Sequence, residues 1–168
     1  DGMLTGLRDL DVKLSGLKNG DLVIIAARPA MGKSTLAVQI AHNVAEHGLP
    51  ALVLSQEMSY QQLADRLIAS SGRVSMTAIT TGKIEPDEWD KISVGISKLH
   101  EIPLYLDDQG SMTIADVCSK ARMLKRKHGL GLLVVDYLQL MSGNSDNRNA
   151  AIEEISRGLK SLAKELHI

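Results

Sequence analysis

The residues best equipped for chemistry lie in Arg28-Pro29-Ala30-Met31-Gly32-Lys33-Ser34-Thr35, between an apolar run at 22–26 and a helical pattern. A strand that turns through such a loop into a helix presents successive backbone N–H groups, and the helix N-terminus adds positive potential. The result is a nest for phosphate. Gly32 allows close backbone approach, Lys33 can reach the β- and γ-phosphates of a nucleotide, and Ser34 offers a hydroxyl to Mg2+. Ala27 stands where the first glycine of the full G-x-x-x-x-G-K-[ST] pattern belongs.

Two carboxylates complete a hydrolytic set. Asp136 ends the run Leu132-Leu133-Val134-Val135-Asp136. A carboxylate at the C-terminal end of a parallel strand faces the ligand crevice of an open α/β sheet, where it can hold the Mg2+ shell. Glu57 follows another apolar run, in Leu54-Ser55-Gln56-Glu57-Met58-Ser59. It is placed either to orient and activate an attacking water or to favour the N-terminus of the helix that Ser59 opens. The chemistry implied is binding and hydrolysis of ATP with Mg2+, with Lys33, Glu57 and Asp136 as catalytic candidates.

These side chains need a scaffold, and the sequence describes one. Four short apolar runs, at 22–26, 51–54, 104–106 and 132–135, are each bounded by turn or polar residues. Strands buried on both faces of a parallel sheet read this way. Between them lie helical patterns: Leu36, Ile40 and Val44 after the loop, then Leu63, Leu67 and Ile68 behind a Ser59/Gln62 capping box. Pro86 with Asp87 and Glu88 suits a helix first turn, followed by Trp89, Ile92, Ile96 and Leu99 as its inward stripe. Thr113 and Asp116 open another helix that Gly129 closes, and Ile152, Ile155, Leu159, Leu162 and Leu166 mark the last. Alternating strands and helices predict an α/β domain around a mostly parallel sheet.

Composition removes other classes. The 168 residues carry a net charge of −1, which argues against gripping nucleic acid over the whole surface. Trp89, Tyr60, Tyr105 and Tyr137 are the only aromatics beside histidine, too few for a base-stacking platform. No apolar run approaches the roughly 20 residues of a membrane span, and no signal peptide is visible. The single cysteine, Cys118, fits a reducing, cytoplasmic setting. The five histidines form no ligand-spaced cluster, and Asp107 and Asp108 end a strand without evident partners. The basic run from Lys120 through Arg122, Lys125, Arg126 and Lys127 reads as a solvated helix end that complements the dipole.

In combination these motifs resemble the ATPase domain of DnaB-type replicative DNA helicases, within the RecA-like superfamily. The resemblance is carried by Ala26-Ala27-Arg28-Pro29-Ala30-Met31-Gly32-Lys33-Ser34, by Leu54-Ser55-Gln56-Glu57-Met58-Ser59 and by Val135-Asp136-Tyr137-Leu138-Gln139-Leu140-Met141. Weaker similarity runs through Thr81-Gly82-Lys83, Leu104-Tyr105-Leu106-Asp107-Asp108 and the helix from Glu154 to Leu166, so essentially the whole chain takes part. A missing first glycine is common in this family. The resemblance implies a RecA-like P-loop NTPase fold and a 5′-to-3′ replicative motor. ATP is hydrolysed at the interfaces of a homo-hexameric ring that translocates on single-stranded DNA, with primase or a loader as further partners. Other RecA-like tasks, recombinase-like or clock-like, and a ring-assembly module with little turnover are the alternatives.

The resemblance also favours Glu57 as catalytic base and sets Gln139 near the nucleotide or the DNA-facing side. Arg28 is left to touch phosphate or shape the loop. The polar stretch 142–149 corresponds to a channel-facing loop, in which Asn144, Asn147 and Arg148 are candidates for DNA phosphate contacts. The sheet order implied sets 104–106 outermost, then 51–54, then 132–135, then a strand beyond this chain, then 22–26. By that order the chain is a fragment, truncated before the sensor strand and poorly active alone, with an arginine finger, an N-terminal domain and a linker lying outside it.

Overall fold

Residues 2–25, 32–136 and 148–168 are described by the computed structural model, Arg148 by its backbone alone. Strand β1 (Ala51–Ser55) is buried along its whole length and pairs in parallel with β2 (Leu104–Asp107) on one side and β3 (Leu132–Asp136) on the other. The order β2-β1-β3 is the one expected for these three segments. Alternation explains the unbroken apolar run of β1. Leu52 and Leu54 face a core shared with Val117, Leu159 and Leu162 from helices α6 (Ile114–His128) and α7 (Arg148–Leu166). Ala51 and Val53 face Ala41 and Ala45 of α2 (Lys33–Glu46) on the other side. Each fully buried leucine here is worth roughly 1.5–3 kcal/mol over its exposed state.

The segment 22–25 departs from expectation, because it joins no strand ladder. Leu22 packs on the α6–α7 core, while Val23, Ile24 and Ile25 are exposed. An apolar run forms a strand only when a neighbour supplies hydrogen bonds. Among the described residues β3 pairs with β1 alone, and nothing is bonded beside 22–25. Ala26 lies outside the described residues.

Helix starts follow their local chemistry. Ser59 and Gln62 form the capping box of α3 (Tyr60–Gly72), Thr113 and Asp116 that of α6, and Gly129 ends α6. Pro86 opens α5 (Pro86–Glu101) behind Glu85, whose backbone N–H donates to the Glu88 carboxylate at 3.2 Å. Two short helices, α1 (Arg8–Leu14) and α4 (Met76–Thr81), are too brief to show a periodic stripe.

The inward face of α5 is a correction. Trp89 and Ile96 are exposed, and Ile92 with Gly95 is buried. A Cβ on Gly95 would stand 2.9 Å from the backbone N of Gly72, so α3 and α5 touch backbone to backbone. That crossing rotates the stripe towards Gly95 and turns Trp89 and Ile96 outward. In an exposed helix Gly→Ala gains up to about 1 kcal/mol. Here Gly95→Ala is expected to lose about 1–3 kcal/mol by overpacking, read as a lower urea midpoint.

A buried imidazole ties α2 to α3. His42 Nε2 lies 3.0 Å from Ser71 Oγ and 3.4 Å from the Glu46 carboxylate. Burial holds its pKa below the ordinary 6.5, with Glu46 opposing. Unfolding frees the ring, so below about pH 6.5 the unfolded chain takes the extra proton and folding stability falls. Urea unfolding at pH 7.5 and pH 5.5 is expected to show this loss, and a smaller one in His42→Gln.

Candidate functional site

Gly32 opens α2 with φ of 78°, a left-handed conformation that L side chains rarely adopt. The helix thus begins at Lys33, and its first turn presents Lys33, Ser34 and Thr35 towards the C-terminal ends of the strands. Register supplies the opposing groups. Ser55, the last residue of β1, pairs with Asp136, the last of β3, and Gln56 N donates to the Asp136 carbonyl 2.8 Å away.

The two ends meet at Asp136. Ser34 Oγ donates to Asp136 Oδ2 at 2.7 Å, and Lys33 Nζ lies 3.3 Å from Asp136 Oδ1. The Asp136 side chain is only 8% exposed, so the ammonium and the hydroxyl replace the water it has lost. Glu57 closes the group, with Oε2 3.8 Å from Lys33 Nζ and 3.4 Å from Ser34 Oγ. Its side chain is 48% exposed and open to water. Among the described residues, one lysine therefore faces two carboxylates. A hydroxyl beside a buried carboxylate is a hard oxygen pair suited to Mg2+, which typically takes one or two protein oxygens and fills its shell with water and phosphate.

Glu57 owes its position to Ser55, whose buried Oγ accepts from Met58 N at 3.0 Å and shapes the turn that carries it. On the far side of that turn, Asp108 Oδ2 accepts from Tyr60 N at 2.7 Å. Neither residue was singled out for this role from sequence, because a serine or aspartate ending an apolar run is too common to stand out. Asp107 also has partners. It accepts from Gln109 N and pairs with Lys120. Burial raises its pKa, but the Lys120 ammonium and the Gln109 N–H outweigh burial and leave it below the ordinary value. On α6 the expected solvated face is kept at Arg126 and Lys127, which are exposed, while three other cations of the run have partners. Arg122 makes a two-pronged bond to Glu165 of α7, and Lys125 donates to the Leu130 carbonyl.

Of the residues singled out from sequence, Lys33, Ser34, Glu57 and Asp136 converge, with Gly32 and Thr35 beside them. Arg28, Pro29, Ala30, Met31, Gln139, Asn144, Asn147 and the Arg148 side chain lie outside the described residues.

Comparison with known proteins gives a consistent picture. The family model described as DnaB-like helicase C terminal domain matches residues 2–168. The replicative DNA helicase DnaB of Haemophilus influenzae is 47% identical over 174 residues, covering 99% of this chain and 37% of that protein. That of Geobacillus stearothermophilus is 40% identical over 171 residues, covering 99% of this chain and 38% of its own length. The chain thus spans less than two-fifths of these relatives. A solved ATPase domain superposes with a TM-score of 0.93 at 31% identity, covering all of this chain and 61% of its own. A DnaB-like replicative helicase, solved in a study of its interactions with primase, gives 0.92 at 31% identity, covering all of this chain and 42% of its own.

The electrostatics of the cluster can be checked without a ligand. Lys33→Ala leaves Asp136 buried with Ser34 and no cation. It is expected to cost about 1–3 kcal/mol of unfolding free energy in urea titration, and the double variant Lys33→Ala/Asp136→Asn is expected to recover part of that loss.

Proposed function

The chain belongs to the DnaB-like helicase C-terminal domain family, and from that premise we propose that it binds and hydrolyses ATP with Mg2+ to drive a ring along single-stranded DNA. The observation that carries the proposal is the convergence of Lys33, Ser34, Glu57 and Asp136 within 3.8 Å at the strand ends.

Each side chain has a distinct task. Lys33 exchanges its carboxylate contacts for the β- and γ-phosphate oxygens when nucleotide enters. Ser34 Oγ and the Asp136 carboxylate would hold the Mg2+ ion, which would supply charge neutralisation during hydrolysis. Glu57, half in solvent, orients a water on the γ-phosphate and accepts its proton. Arg28, Pro29, Ala30, Met31, Gly32 and Thr35 complete the proposed phosphate-binding set, in which every residue but Pro29 can offer a backbone N–H. In this reading the ring is a homo-hexamer, each nucleotide lying between subunits and an arginine of the neighbour stabilising transition-state charge.

The proposed DNA contacts are Asn144 and Asn147 before α7 and Arg148 at its first residue, which needs no basic surface elsewhere and suits the near-neutral chain. Primase or a loader is the further partner proposed for such a motor. No helix among the described residues is long and apolar enough to cross a membrane.

The test is ATP turnover in the intact protein with and without single-stranded DNA. Single-stranded DNA is expected to stimulate hydrolysis. Glu57→Gln is expected to lower kcat by about a hundredfold or more with ATP affinity retained. Hydrolysis indifferent to DNA would contradict the motor, and a Glu57→Gln variant with ordinary turnover would remove Glu57 from catalysis.

A further inference from the structure

Glu57 rides on a short strap, 56–59, that joins β1 to α3. Local bonds give the strap its shape. Met58 N donates to Ser55 Oγ at 3.0 Å, Ser59 N to Gln62 Oε1 at 2.9 Å and Gln62 N to Ser59 Oγ at 3.2 Å. All three lie between the end of β1 and the first turn of α3, so they set curvature and leave placement over the strand ends free. Two longer-range backbone donors fix the placement. At the β1 end, Gln56 N donates to the Asp136 carbonyl of β3 at 2.8 Å. At the α3 end, Tyr60 N donates to Asp108 Oδ2 at 2.7 Å, across 48 positions of sequence.

Tyr60 is the first residue of α3, and its N–H is among those that no carbonyl of the helix can reach. A carboxylate there makes a charge-assisted bond and complements the helix dipole. Yet α3 already has a complete capping box in Ser59 and Gln62, so the helix has its start without Asp108. What Asp108 adds is a tie from that start to β2, three residues from Glu57. The tie is rigid at its far end. Asp107 stands in register with Leu54 of β1 and pairs with Lys120 of α6, which fixes the chain that carries Asp108.

Glu57 needs such a tie once nucleotide is bound. Its side chain is half exposed, and its contacts are to Lys33 and Ser34. In the functional reading above, both partners pass to the phosphates and the cation. The position of the Glu57 carboxylate then depends on the backbone beneath it. We propose that Asp108 is a positioning residue for hydrolysis, holding Tyr60 N so that the strap keeps Glu57 at the distance from the γ-phosphate where water is activated. Misplacing a reacting group by about 1 Å costs on the order of a hundredfold in rate. This assignment rests on the reading of Glu57 as the base, and its test separates the two.

The experiment measures ATP turnover with single-stranded DNA, and ATP affinity, in the intact protein. Asp108→Ala is expected to lower kcat by about tenfold or more while ATP affinity stays within about twofold. Asp108→Asn keeps an acceptor oxygen and is expected to hold kcat within about threefold of the wild type. Tyr60→Pro deletes the donor instead. Proline suits the first helical position, and Ser59, with φ of −71° and ψ of 160°, already has the extended backbone that a following proline requires. It is expected to match Asp108→Ala, and it serves if that variant fails to fold. In a Glu57→Gln background, Asp108→Ala is expected to change the residual single-turnover rate by less than about twofold, because both act through one group. Ser75→Ala, which removes the cap of α4, is expected to leave kcat unchanged. Ordinary kcat in a folded Asp108→Ala or Tyr60→Pro overturns the proposal. So does a matching loss of ATP affinity, a further loss in the Glu57→Gln background, an Asp108→Asn variant as slow as Asp108→Ala, or an equal fall in Ser75→Ala. A Glu57→Gln variant with ordinary turnover overturns the reading of Glu57 itself, and this assignment with it.

Discussion

The bond from Ser34 to Asp136, with Lys33 beside it, is the constraint to which the rest of the molecule answers. It joins residues 102 positions apart through one buried carboxylate. Both partners supply the hydrogen bonding that the buried carboxylate has lost to water. Those partners are in reach because α2 starts at Gly32 and because β3 ends level with β1. Parallel pairing with Ser55 opposite Asp136 fixes that level, and a one-residue slip would turn Asp136 to the other face of the sheet. Core packing then holds the register, with Leu52 and Leu54 on one face and Ala51 and Val53 on the other.

The same cluster explains why the remaining elements stand where they do. Ser55 ends the central strand, and its hydroxyl also shapes the turn that carries Glu57. Asp108 at the end of β2 holds the start of α3 from the opposite side. All three strands thus contribute a polar group at the same end of the sheet, and each group fixes one wall of the site. The α3–α5 contact through Gly72 and Gly95 and the His42–Ser71 bond hold α3 from behind.

Much of this was legible in the sequence. Lys33, Ser34 and Asp136 could be read together because phosphate chemistry demands those residue types at a strand–loop–helix turn and a strand end. The capping boxes of α3 and α6 were equally readable, and the order of three strands followed from the family resemblance. What escaped shares one physical cause, dependence on a neighbour distant in sequence. The segment at 22–25 has the composition of a strand but no ladder partner, so composition misled. Trp89 and Ile96 have helical spacing, but the approach of Gly95 to Gly72 decided which face is buried. Asp107, Asp108, Lys120 and Arg122 looked like solvated charges until the fold brought their partners.

The central claim is that Ser34 and Asp136 form a cation-dependent nucleotide site with Lys33. The most direct measurement is ATP affinity of the chain by calorimetry in Mg2+ and in excess chelator, repeated on Ser34→Ala. The account predicts that Mg2+ tightens binding by about tenfold or more, close to 1.4 kcal/mol, and that Ser34→Ala loses most of that gain while remaining folded. Equal affinity with and without Mg2+, or an unchanged Mg2+ effect in Ser34→Ala, would contradict it.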